Sequence, residues 1–243
     1  MNIIFRVDGG KLIGGGHVSR CITLAKELFS RGHKIIFISI RDEINRFIEM
    51  AGFELIELEG SAEEEVKNGS YSGWLRLPYA NDANETVSIV KRFAGDWIVL
   101  DHYGLDHRWV ENLKSKVNVR VMCIDDLDNR YLGADLILDQ THILGVRKFY
   151  TGKLLSGPNF AILNEDFNRL RSRALKRRNR QISKIIVLPG LFDTYGFSVS
   201  VLTALKSWSG EVLVVMGKDS PSVEEVKILM ENRANWSLQT DIN

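Results

Sequence analysis

Short apolar runs alternate with amphipathic stretches along the chain, and this alternation predicts strands and helices in turn. The apolar runs are dense in Ile, Val and Leu, which is typical of parallel strands covered on both faces. Strands are predicted at Ile3–Val7, Lys34–Ile40, Phe53–Leu58, Trp97–Asp101, Val119–Ile124, Asp135–Leu138, Ile185–Leu188, Glu211–Val215 and Trp236–Gln239. Helices are predicted at Val18–Arg31, Arg41–Ala51, Ala83–Phe93, Arg108–Lys114, Gly196–Ser207 and Ser222–Glu231. Strands that alternate with helices indicate an α/β protein with a mostly parallel sheet.

A basic segment divides the chain. Residues 169–184 hold eight basic residues and no acidic one, which favours a solvated interdomain helix or linker over a nucleic-acid-binding arm. We therefore predict a Rossmann-like domain at residues 1–168, a basic linker at 169–184 and a second α/β domain at 185–243. A self-sufficient doubly wound domain usually needs about a hundred residues or more. The second domain is therefore expected to be incomplete, and the chain to be truncated.

Composition and charge exclude several classes of function. The 243 residues include 32 basic and 31 acidic side chains, so the net charge of +1 argues against nucleic acid as a partner. No apolar stretch is long enough to span a membrane, and the N-terminus lacks the pattern of a secretory signal. The two cysteines, Cys21 and Cys123, make no disulfide framework or metal-spaced cluster. These features predict a cytoplasmic protein.

The strongest local feature is a glycine-rich loop between the first predicted strand and helix. The strand ends at Asp8, the loop GGKLIGGG includes Gly14, Gly15 and Gly16, and His17 opens the helix. Glycines permit positive φ angles and close approach of the backbone to a ligand, and a helix N-terminus favours an anion. The loop matches neither the P-loop nor the dinucleotide-binding pattern. An ordinary strand–helix turn is the alternative interpretation.

Ionisable side chains follow three predicted strands at the edge where open parallel sheets bind ligands. They are Asp8 after the first strand, Asp101, His102 and Tyr103 at the fourth, and Asp125 and Asp126 after the fifth. A helix cap or a turn explains any single aspartate among them. Their convergence on one edge favours a binding or catalytic site.

The segment Arg6–Ala25, RVDGGKLIGGGHVSRCITLA, resembles the signature of the pseudaminic-acid pathway UDP-sugar hydrolases and the related spore-coat polysaccharide biosynthesis proteins. The family pattern is Arg-x-Asp, then Ile-Gly-x-Gly-His, then Arg-Cys-x-x-Leu-Ala. Further matches follow in the same order: Trp74 and Leu75, then Asp82, Ala83 and Thr86, Asp101–Gly104, Asp125 and Asp126, Asp135–Asp139 and Gly157–Phe167. The resemblance thus covers nearly the whole chain.

The resemblance implies a two-domain glycosyltransferase-B fold with the active site between the domains. It implies that water attacks the anomeric carbon of a UDP-linked 2,4-diacetamido-trideoxyhexose and releases UDP. We assign His17 as the general base, because the pKa of a histidine suits that role at neutral pH. The helix N-terminus disfavours an imidazolium, so a carboxylate, Asp8 or Asp101, is expected to stabilise the charged ring.

The remaining site residues follow from the same resemblance. Substrate binding is assigned to Arg6, Gly14, Gly15, Gly16, His102, Tyr103 and Asp126, and nucleotide binding to Gly190 and Asp193. The five histidines, His17, His33, His102, His107 and His142, have no metal-ligand spacing. We expect no metal and no other cofactor, with the UDP-sugar as partner, and the oligomeric state stays open.

Two departures from the family pattern bear on the nucleotide. The family's second domain opens with Gly-Gly-Ser/Thr-Asp after its first strand, whereas this chain reads PGLFD, and Pro189 has no N–H to offer a phosphate. The family also continues past Asn243 into a glycine-rich loop and an acidic residue that hold the uridine nucleotide. Weak UDP binding, or none, is therefore expected.

Two other functions compete with the hydrolase. One is a glycosyltransferase, because a lipid-acceptor glycosyltransferase of peptidoglycan synthesis also has a Gly-Gly-His loop after its first strand. The other is an inactive, truncated protein that only binds a sugar nucleotide. Trp74 and Tyr79 either stack on a sugar or anchor their loop, and Cys21 is expected in the core.

Overall fold

The chain folds into two compact α/β units, Met1–Asn164 and Glu165–Asn243. The structure, a computed structural model, describes residues 1–62, 71–141, 148–176 and 181–240. Within those residues, the first unit contains a seven-stranded sheet and the second a three-stranded sheet, and the paired strands are parallel. The predicted α/β class with a parallel sheet is confirmed.

Seven strands form the sheet of the first unit, among the residues described there. In chain order they are β1 (Asn2–Val7), β2 (Lys34–Ile40), β3 (Glu54–Leu58), β4 (Trp97–Asp101), β5 (Arg120–Ile124), β6 (Leu136–Asp139) and β7 (Lys153–Ser156). Their order across the sheet is β3–β2–β1–β4–β5–β6–β7. The chain therefore builds outward from β1 in one direction and from β4 in the other, as in doubly wound folds.

The helices of the first unit cover this sheet. They are α1 (Gly16–Ser30), α2 (Arg46–Met50), α3 (Tyr79–Phe93) and α4 (His107–Lys114), with short 3₁₀ helices at Glu43–Asn45, Tyr71–Trp74 and Pro158–Phe160. α1 buries Val18, Cys21 and Ala25, whose spacing of three and four residues places them on one face. The expectation that Cys21 belongs to the core is confirmed.

Burial of the central strands explains their apolar sequences. Ile4 and Phe5 of β1 and Phe37 of β2 are completely buried, and the Phe5 and Phe37 rings stack with their centroids 4.9 Å apart. Burial of such side chains stabilises each by about 1.5–3 kcal/mol. The polar and charged residues at the ends of β1 and β4 are thus attached to a rigid part of the fold.

The second unit has a smaller core. Its elements are α5 (Glu165–Leu175), β8 (Lys184–Gly190), α6 (Phe197–Ala204), β9 (Glu211–Met216), α7 (Val223–Met230) and β10 (Trp236–Gln239), with the strand order β10–β9–β8. Val187 of β8 is buried with Val212 and Val214 of β9, whereas Ile186 and Leu188 are 56% and 66% exposed. The incompleteness of this domain stays a prediction.

Three elements differ from the sequence prediction. β7 was not predicted, because a run of four residues at a sheet edge is too short to show a period. The helix predicted at Arg41–Ala51 is a 3₁₀ helix followed by α2, and the Asp42 side chain accepts the Ile44 N–H at its start. Part of the predicted linker belongs to α5, while residues 177–180 lie outside the described part.

Candidate active site

Reactive side chains converge where β1 and β4 end side by side. These neighbouring strands form the switch point of the sheet, where ligands bind in open α/β folds. Asp8 follows β1, Asp101 ends β4, and His17 lies in the first turn of α1. The His17 Nδ1 atom is 2.6 Å from Oδ1 of Asp101. The predicted position of His17, at a helix start facing the carboxyl edge of the sheet, is confirmed.

The loop before α1 leaves the helix N-terminus open. Gly10 and Gly14 pair through backbone hydrogen bonds of 2.7 and 3.3 Å, and Gly14 has a φ of +80°. A Cβ at Gly14 or Gly16 would meet nothing within 4 Å. Among the residues that the structure describes, no side chain caps α1 at Gly15, and the first turn of α1 holds no acidic residue. The partial positive charge of this helix end is therefore open to an anion.

Asp101 holds three side chains of α1 at once. Its Oδ1 accepts hydrogen bonds from His17 Nδ1 and Arg20 Nη2, both at 2.6 Å. Its Oδ2 accepts from Arg20 Nε at 2.6 Å and from the Cys21 thiol at 3.4 Å. Burial alone would raise the pKa of Asp101, but His17 and Arg20 outweigh burial and hold that pKa well below its usual range. Asp101 is an anion at neutral pH.

The bond to Asp101 determines which nitrogen of His17 is free. An ionised carboxylate only accepts hydrogen bonds, so Nδ1 of the neutral ring carries the proton and Nε2 keeps its lone pair. The ring stands edge-on to Tyr103 and Trp74, with centroid distances of 4.7 and 5.8 Å. These contacts and the carboxylate fix the orientation of a nitrogen that can accept a proton.

A second buried charge network centres on Arg6. The guanidinium donates to Asp8 through Nη1 at 2.5 Å and to Asp82 through Nη2 at 2.6 Å. Asp82 also accepts from the indole of Trp109 at 2.7 Å, and Asp8 accepts the Ile40 N–H at 2.8 Å. Burial would raise the pKa of Asp8, but the neighbouring positive charge of Arg6 outweighs it and lowers the pKa. This network ties β1 to β2, α3 and α4.

His102 joins the Arg6 network through a defined tautomer. The Gly104 N–H donates to His102 Nδ1 at 3.1 Å, so the proton of the neutral ring lies on Nε2. That nitrogen is 3.2 Å from Oδ2 of Asp8. A Cβ at Gly104 would lie 2.9 Å from the His102 ring and from the Tyr71 carbonyl oxygen. Glycine is therefore required at this turn.

Burial changes the roles that we expect for three predicted site residues. Arg6 and Asp8 are each 1% exposed and His102 is 4% exposed, and their polar atoms face one another. Of the two carboxylates considered for His17, the structure brings Asp101 to the ring. We propose that Arg6, Asp8 and His102 position the ends of β1 and β4 and do not themselves contact substrate.

An aromatic wall flanks His17, formed by Tyr71, Trp74 and Tyr103. The Trp74 and Tyr103 rings are nearly parallel, 16° apart, with centroids at 5.7 Å, and Tyr71 packs edge-on against both. Tyr103 donates its hydroxyl to Asp126 at 2.5 Å. Burial and this carboxylate raise the pKa of Tyr103, so the phenol stays protonated. Aromatic faces at such a position suit the apolar face of a sugar.

Tyr79 has a different environment from Trp74. Its hydroxyl donates to the Gly104 carbonyl oxygen at 3.0 Å and accepts from Arg108 at 3.0 Å. The Arg108 guanidinium also lies over the ring, 4.5 Å from its centroid. Tyr79 therefore anchors the start of α3 to the turn after β4.

Several residues of the site region were not predicted as site residues, among them Tyr71, Arg20, Arg130 and Tyr150. Arg130 Nη2 and the Tyr150 hydroxyl each lie 2.7 Å from an oxygen of the Asp125 carboxylate. The sequence carried a signal for Arg20, which follows His17 by three positions and so shares its helix face. It carried none for Tyr150, which is 25 residues from Asp125.

In the second unit, Asp193 caps α6. Its carboxylate accepts the backbone N–H groups of Phe197 at 2.8 Å and Ser198 at 3.2 Å, and it also accepts the Ser198 hydroxyl. Gly190, with a φ of +95°, ends β8, and a Cβ there would meet nothing within 4 Å. The nucleotide-binding roles of Gly190 and Asp193 stay predictions.

Two searches of the structure bear on other kinds of site. Among the residues it describes, which leave out His142, no three or more His, Cys, Asp or Glu side chains gather as around a metal ion. In the same part of the chain, no helix is long and apolar enough to cross a membrane. The absence of a cofactor or of a nucleic-acid partner stays a prediction.

Two relatives cover nearly the whole chain. One is an uncharacterised protein of Methanocaldococcus jannaschii, 23% identical over 247 residues that span 95% of this chain and 46% of the relative. The other is the UDP-2,4-diacetamido-2,4,6-trideoxy-β-L-altropyranose hydrolase of Campylobacter jejuni, 24% identical over 99% of this chain and 78% of the hydrolase. This chain thus spans about half the length of the first relative. No family model matches this chain.

Solved structures match over almost all of the chain. Arabidopsis thaliana UGT89C1 in complex with UDP-L-rhamnose gives a TM-score of 0.61 at 10% identity, over 98% of this chain and 69% of that one. A glycosyltransferase of Rickettsia africae gives 0.58 at 16% identity, over 100% and 68%. MurG of Acinetobacter baumannii gives 0.56 at 13% identity, over 100% and 67%. The fold is of the glycosyltransferase-B type.

Proposed function

We propose that this protein hydrolyses a UDP-linked 2,4-diacetamido-trideoxyhexose in pseudaminic-acid or surface-polysaccharide biosynthesis. The observation that carries the proposal is the His17–Asp101 pair beside the open N-terminus of α1, at the switch point of the sheet. The Campylobacter jejuni hydrolase, 24% identical over 99% of the chain, supports the choice of substrate. The glycosyltransferase-B fold supports a nucleotide-sugar substrate.

In the proposed reaction, His17 removes a proton from water. The oxygen of this water forms a bond to the anomeric carbon, and the bond from that carbon to the diphosphate breaks, so UDP leaves with the electron pair. The proton passes to Nε2 of His17, and Asp101 stabilises the resulting imidazolium through its contact with Nδ1. General-base catalysis of this kind contributes about 10²–10⁴-fold in rate.

The surroundings of His17 suit the two ends of such a substrate. The backbone of Gly15 and Gly16 and the start of α1 offer N–H groups and positive potential to the diphosphate. The partly exposed Tyr71 and Tyr103 rings provide apolar surface for the sugar beside the base, and the buried Trp74 ring packs behind them. We therefore place the anomeric carbon near Nε2 of His17, between these two features.

Glycosyl transfer to an alcohol is the second candidate function. Its support is the likeness to a glycosyltransferase of Rickettsia africae and to UGT89C1. The same His17–Asp101 pair would deprotonate an acceptor hydroxyl as readily as a water molecule. The two functions differ only in which nucleophile reaches the anomeric carbon.

Product analysis in ¹⁸O-labelled water separates these functions. The purified protein is incubated with the UDP-linked 2,4-diacetamido sugar, with and without candidate glycan or lipid acceptors. Hydrolysis predicts UDP and a free sugar that carries ¹⁸O at its anomeric carbon. Turnover only in the presence of an acceptor, with a glycoside as product, would instead establish a transferase. Binding of the substrate without either product would contradict both and favour a non-catalytic protein.

A further inference from the structure

Helix α5 buries none of its own side chains. All eleven residues of Glu165–Leu175 are exposed, whereas α1, α3, α4, α6 and α7 each bury at least two residues. An isolated helix of fewer than about 12–15 residues is only marginally stable in water. A binding partner that covers one face of α5 would therefore stabilise the helix.

The side chains of α5 form an apolar face with an arginine on each side. Phe167, Leu170 and Ala174 follow one another at spacings of three and four residues, so they share one face of the helix. Phe167 is 64% exposed and Leu170 is 46% exposed. Arg171 comes four positions after Phe167, and Arg173 comes three positions after Leu170, so each arginine is a surface neighbour of the apolar residue before it.

The charges of α5 favour an anionic partner. Arg169 pairs with Asp166, whereas Arg171, Arg173 and Lys176 have no acidic partner among the residues that the structure describes. The sequence from residue 169 to residue 184 holds eight basic residues and no acidic one. A second copy of the chain would bring like charges against this helix, which disfavours self-association through it. The partner is therefore expected to carry negative charge.

The combination of apolar and basic side chains distinguishes a lipid surface from a nucleic acid. Nucleic-acid phosphates neutralise basic side chains, but they offer no apolar contact to Phe167 and Leu170. A bilayer that contains anionic lipid offers both, because its headgroups attract Arg and Lys and its acyl region receives Phe and Leu. Helices with one apolar face and a basic polar face lie in the interface of such bilayers.

We propose that α5 binds the surface of a bilayer that contains anionic lipid. Phe167 and Leu170 insert at the level of the headgroups, and Arg171 and Arg173 contact the lipid phosphates. The helix lies along the surface, because its eleven residues span roughly 16 Å and the hydrocarbon core is about 30 Å thick. The proposal goes beyond the hydrolase function and does not rest on it, since α5 belongs to the second unit and the His17–Asp101 pair to the first.

Co-sedimentation of the full chain with vesicles tests the proposal without any substitution. Vesicles of phosphatidylcholine alone are compared with vesicles in which phosphatidylglycerol makes up roughly a third of the lipid. We expect binding to the anionic vesicles to be about tenfold tighter or more, and to weaken as added salt screens the attraction. Equal binding to both kinds of vesicle, or no binding to the anionic ones, would overturn the proposal.

Two double variants of α5 separate insertion from charge attraction. Arg171→Gln with Arg173→Gln should weaken binding to the anionic vesicles by about 25-fold, because each basic residue near the surface contributes about fivefold. Phe167→Gln with Leu170→Gln keeps the charge and should weaken binding by about tenfold or more. If only the arginine variant loses affinity, α5 is a general site for polyanions, and the proposed insertion is wrong.

The controls change the same types of side chain outside α5. Arg31→Gln with Arg41→Gln removes two exposed arginines of the first unit, and Ile228→Gln removes a 66% exposed apolar side chain from α7. Both should bind the anionic vesicles like the wild type. Thermal unfolding of all variants should match the wild type, because the replaced side chains are exposed. Losses of affinity in the controls as large as those in the α5 variants would overturn the assignment to α5.

Discussion

Asp8 and Asp101 lie at the ends of neighbouring strands, yet their partners differ. Asp8 accepts hydrogen bonds from the buried guanidinium of Arg6, so its negative charge is paired inside the fold. Asp101 contacts His17, which keeps one nitrogen free for a reaction. Two aspartates at equivalent strand ends therefore have different roles. The difference comes from the side chain that each carboxylate contacts.

Replacement of His17 tests the proposed base. His17→Asn keeps a polar side chain of similar reach but cannot accept a proton at neutral pH. We expect UDP release to fall by about 10²–10⁴-fold, while UDP affinity measured by calorimetry changes little. His33→Asn is the control, because His33 precedes β2 at the opposite edge of the sheet. Turnover near the wild-type rate in His17→Asn would move the search for the base to Asp101 or Asp126.

The depressed pKa values of Asp8 and Asp101 predict loss of stability in acid. An aspartate in the unfolded chain has a pKa of about 3.9, so protons bind more readily to the unfolded state. The stabilisation is complete above about pH 5 and is lost as the pH falls through 3.9 toward the folded-state values. Urea unfolding at a series of pH values measures the decline.

Two substitutions identify the source of that acid sensitivity. Asp101→Asn removes one of the carboxylates with a strongly lowered pKa, so its free energy of unfolding should decline less steeply between about pH 5 and pH 2. Asp219→Asn changes an exposed aspartate of the second unit and should leave the slope as in the wild type. An unchanged slope in Asp101→Asn would show that the acid sensitivity arises elsewhere.

At the scale of elements, the first strand–loop–helix unit combines a strand paired on both sides with a helix N-terminus that has no side-chain cap. β1 is fixed by pairing with β2 and β4 on both sides, and α1 packs its apolar face on the fold. The loop between them is closed by the Gly10–Gly14 bonds and ends at a helix start without a side-chain cap. The backbone N–H groups at the start of α1 therefore have a well-defined position, although no described side chain caps them.

Alanine at two glycines separates the folding and binding roles of this loop. Gly16→Ala should fold normally, because the added methyl meets nothing within 4 Å, but it should reduce kcat/KM by crowding the proposed anion site. Gly14→Ala forces a side chain to a φ of +80°, which costs roughly 1–2 kcal/mol of stability. Thermal unfolding and steady-state kinetics of both variants check this. Full activity in Gly16→Ala would contradict the proposal that the diphosphate binds at the start of α1.

In the second unit, substitutions of Asp193 likewise separate an effect on stability from an effect on nucleotide binding. Asp193→Ala removes the acceptor of two backbone N–H groups and should destabilise the protein by about 0.5–2 kcal/mol. Asp193→Asn keeps a good capping side chain without the charge, and its stability should stay close to the wild type. Calorimetry with UDP on Asp193→Asn then tests the predicted nucleotide role. A stable variant with unchanged UDP affinity would leave Asp193 only its capping role.

At the scale of the whole molecule, each unit has a core of its own. The first unit packs its sheet with buried residues from β1 to β6 and from the helices, and with the partly buried Leu154 of β7. The second unit buries one face of a three-stranded sheet. The His17–Asp101 pair, the Arg6 network and the aromatic wall all lie in the first unit. The geometry proposed for catalysis therefore depends on the first core.

A fragment of residues 1–164 should fold without the rest of the chain. Its described residues contain a seven-stranded sheet and the helices that cover it, and 164 residues are the size of an ordinary domain. We expect the isolated fragment to show a cooperative thermal transition. A fragment that lacks a cooperative transition would show that the second unit is needed to stabilise the first.

The amino-acid sequence determined the class of the fold and the edge of the sheet where the site lies. Apolar runs without polar alternation require strands buried on both faces, and in a parallel sheet the residues after such strands meet at one edge. Asp8, His17 and Asp101 could therefore be chosen from the sequence. The signature around the glycine loop added the resemblance that pointed to UDP-sugars.

Only the tertiary structure decided which of those residues contact one another. His17 and Asp101 are separated by 84 positions, and strand order alone leaves both Asp8 and Asp101 near the ring. The contacts depend on the directions of the side chains at the ends of β1 and β4 and at the start of α1. No periodic pattern in the sequence predicts these directions. The place of Arg6 inside the fold, the contact of Tyr150 with Asp125 and the guanidinium of Arg20 beside His17 were decided in the same way, because buried charges take the partners that packing brings within hydrogen-bond distance.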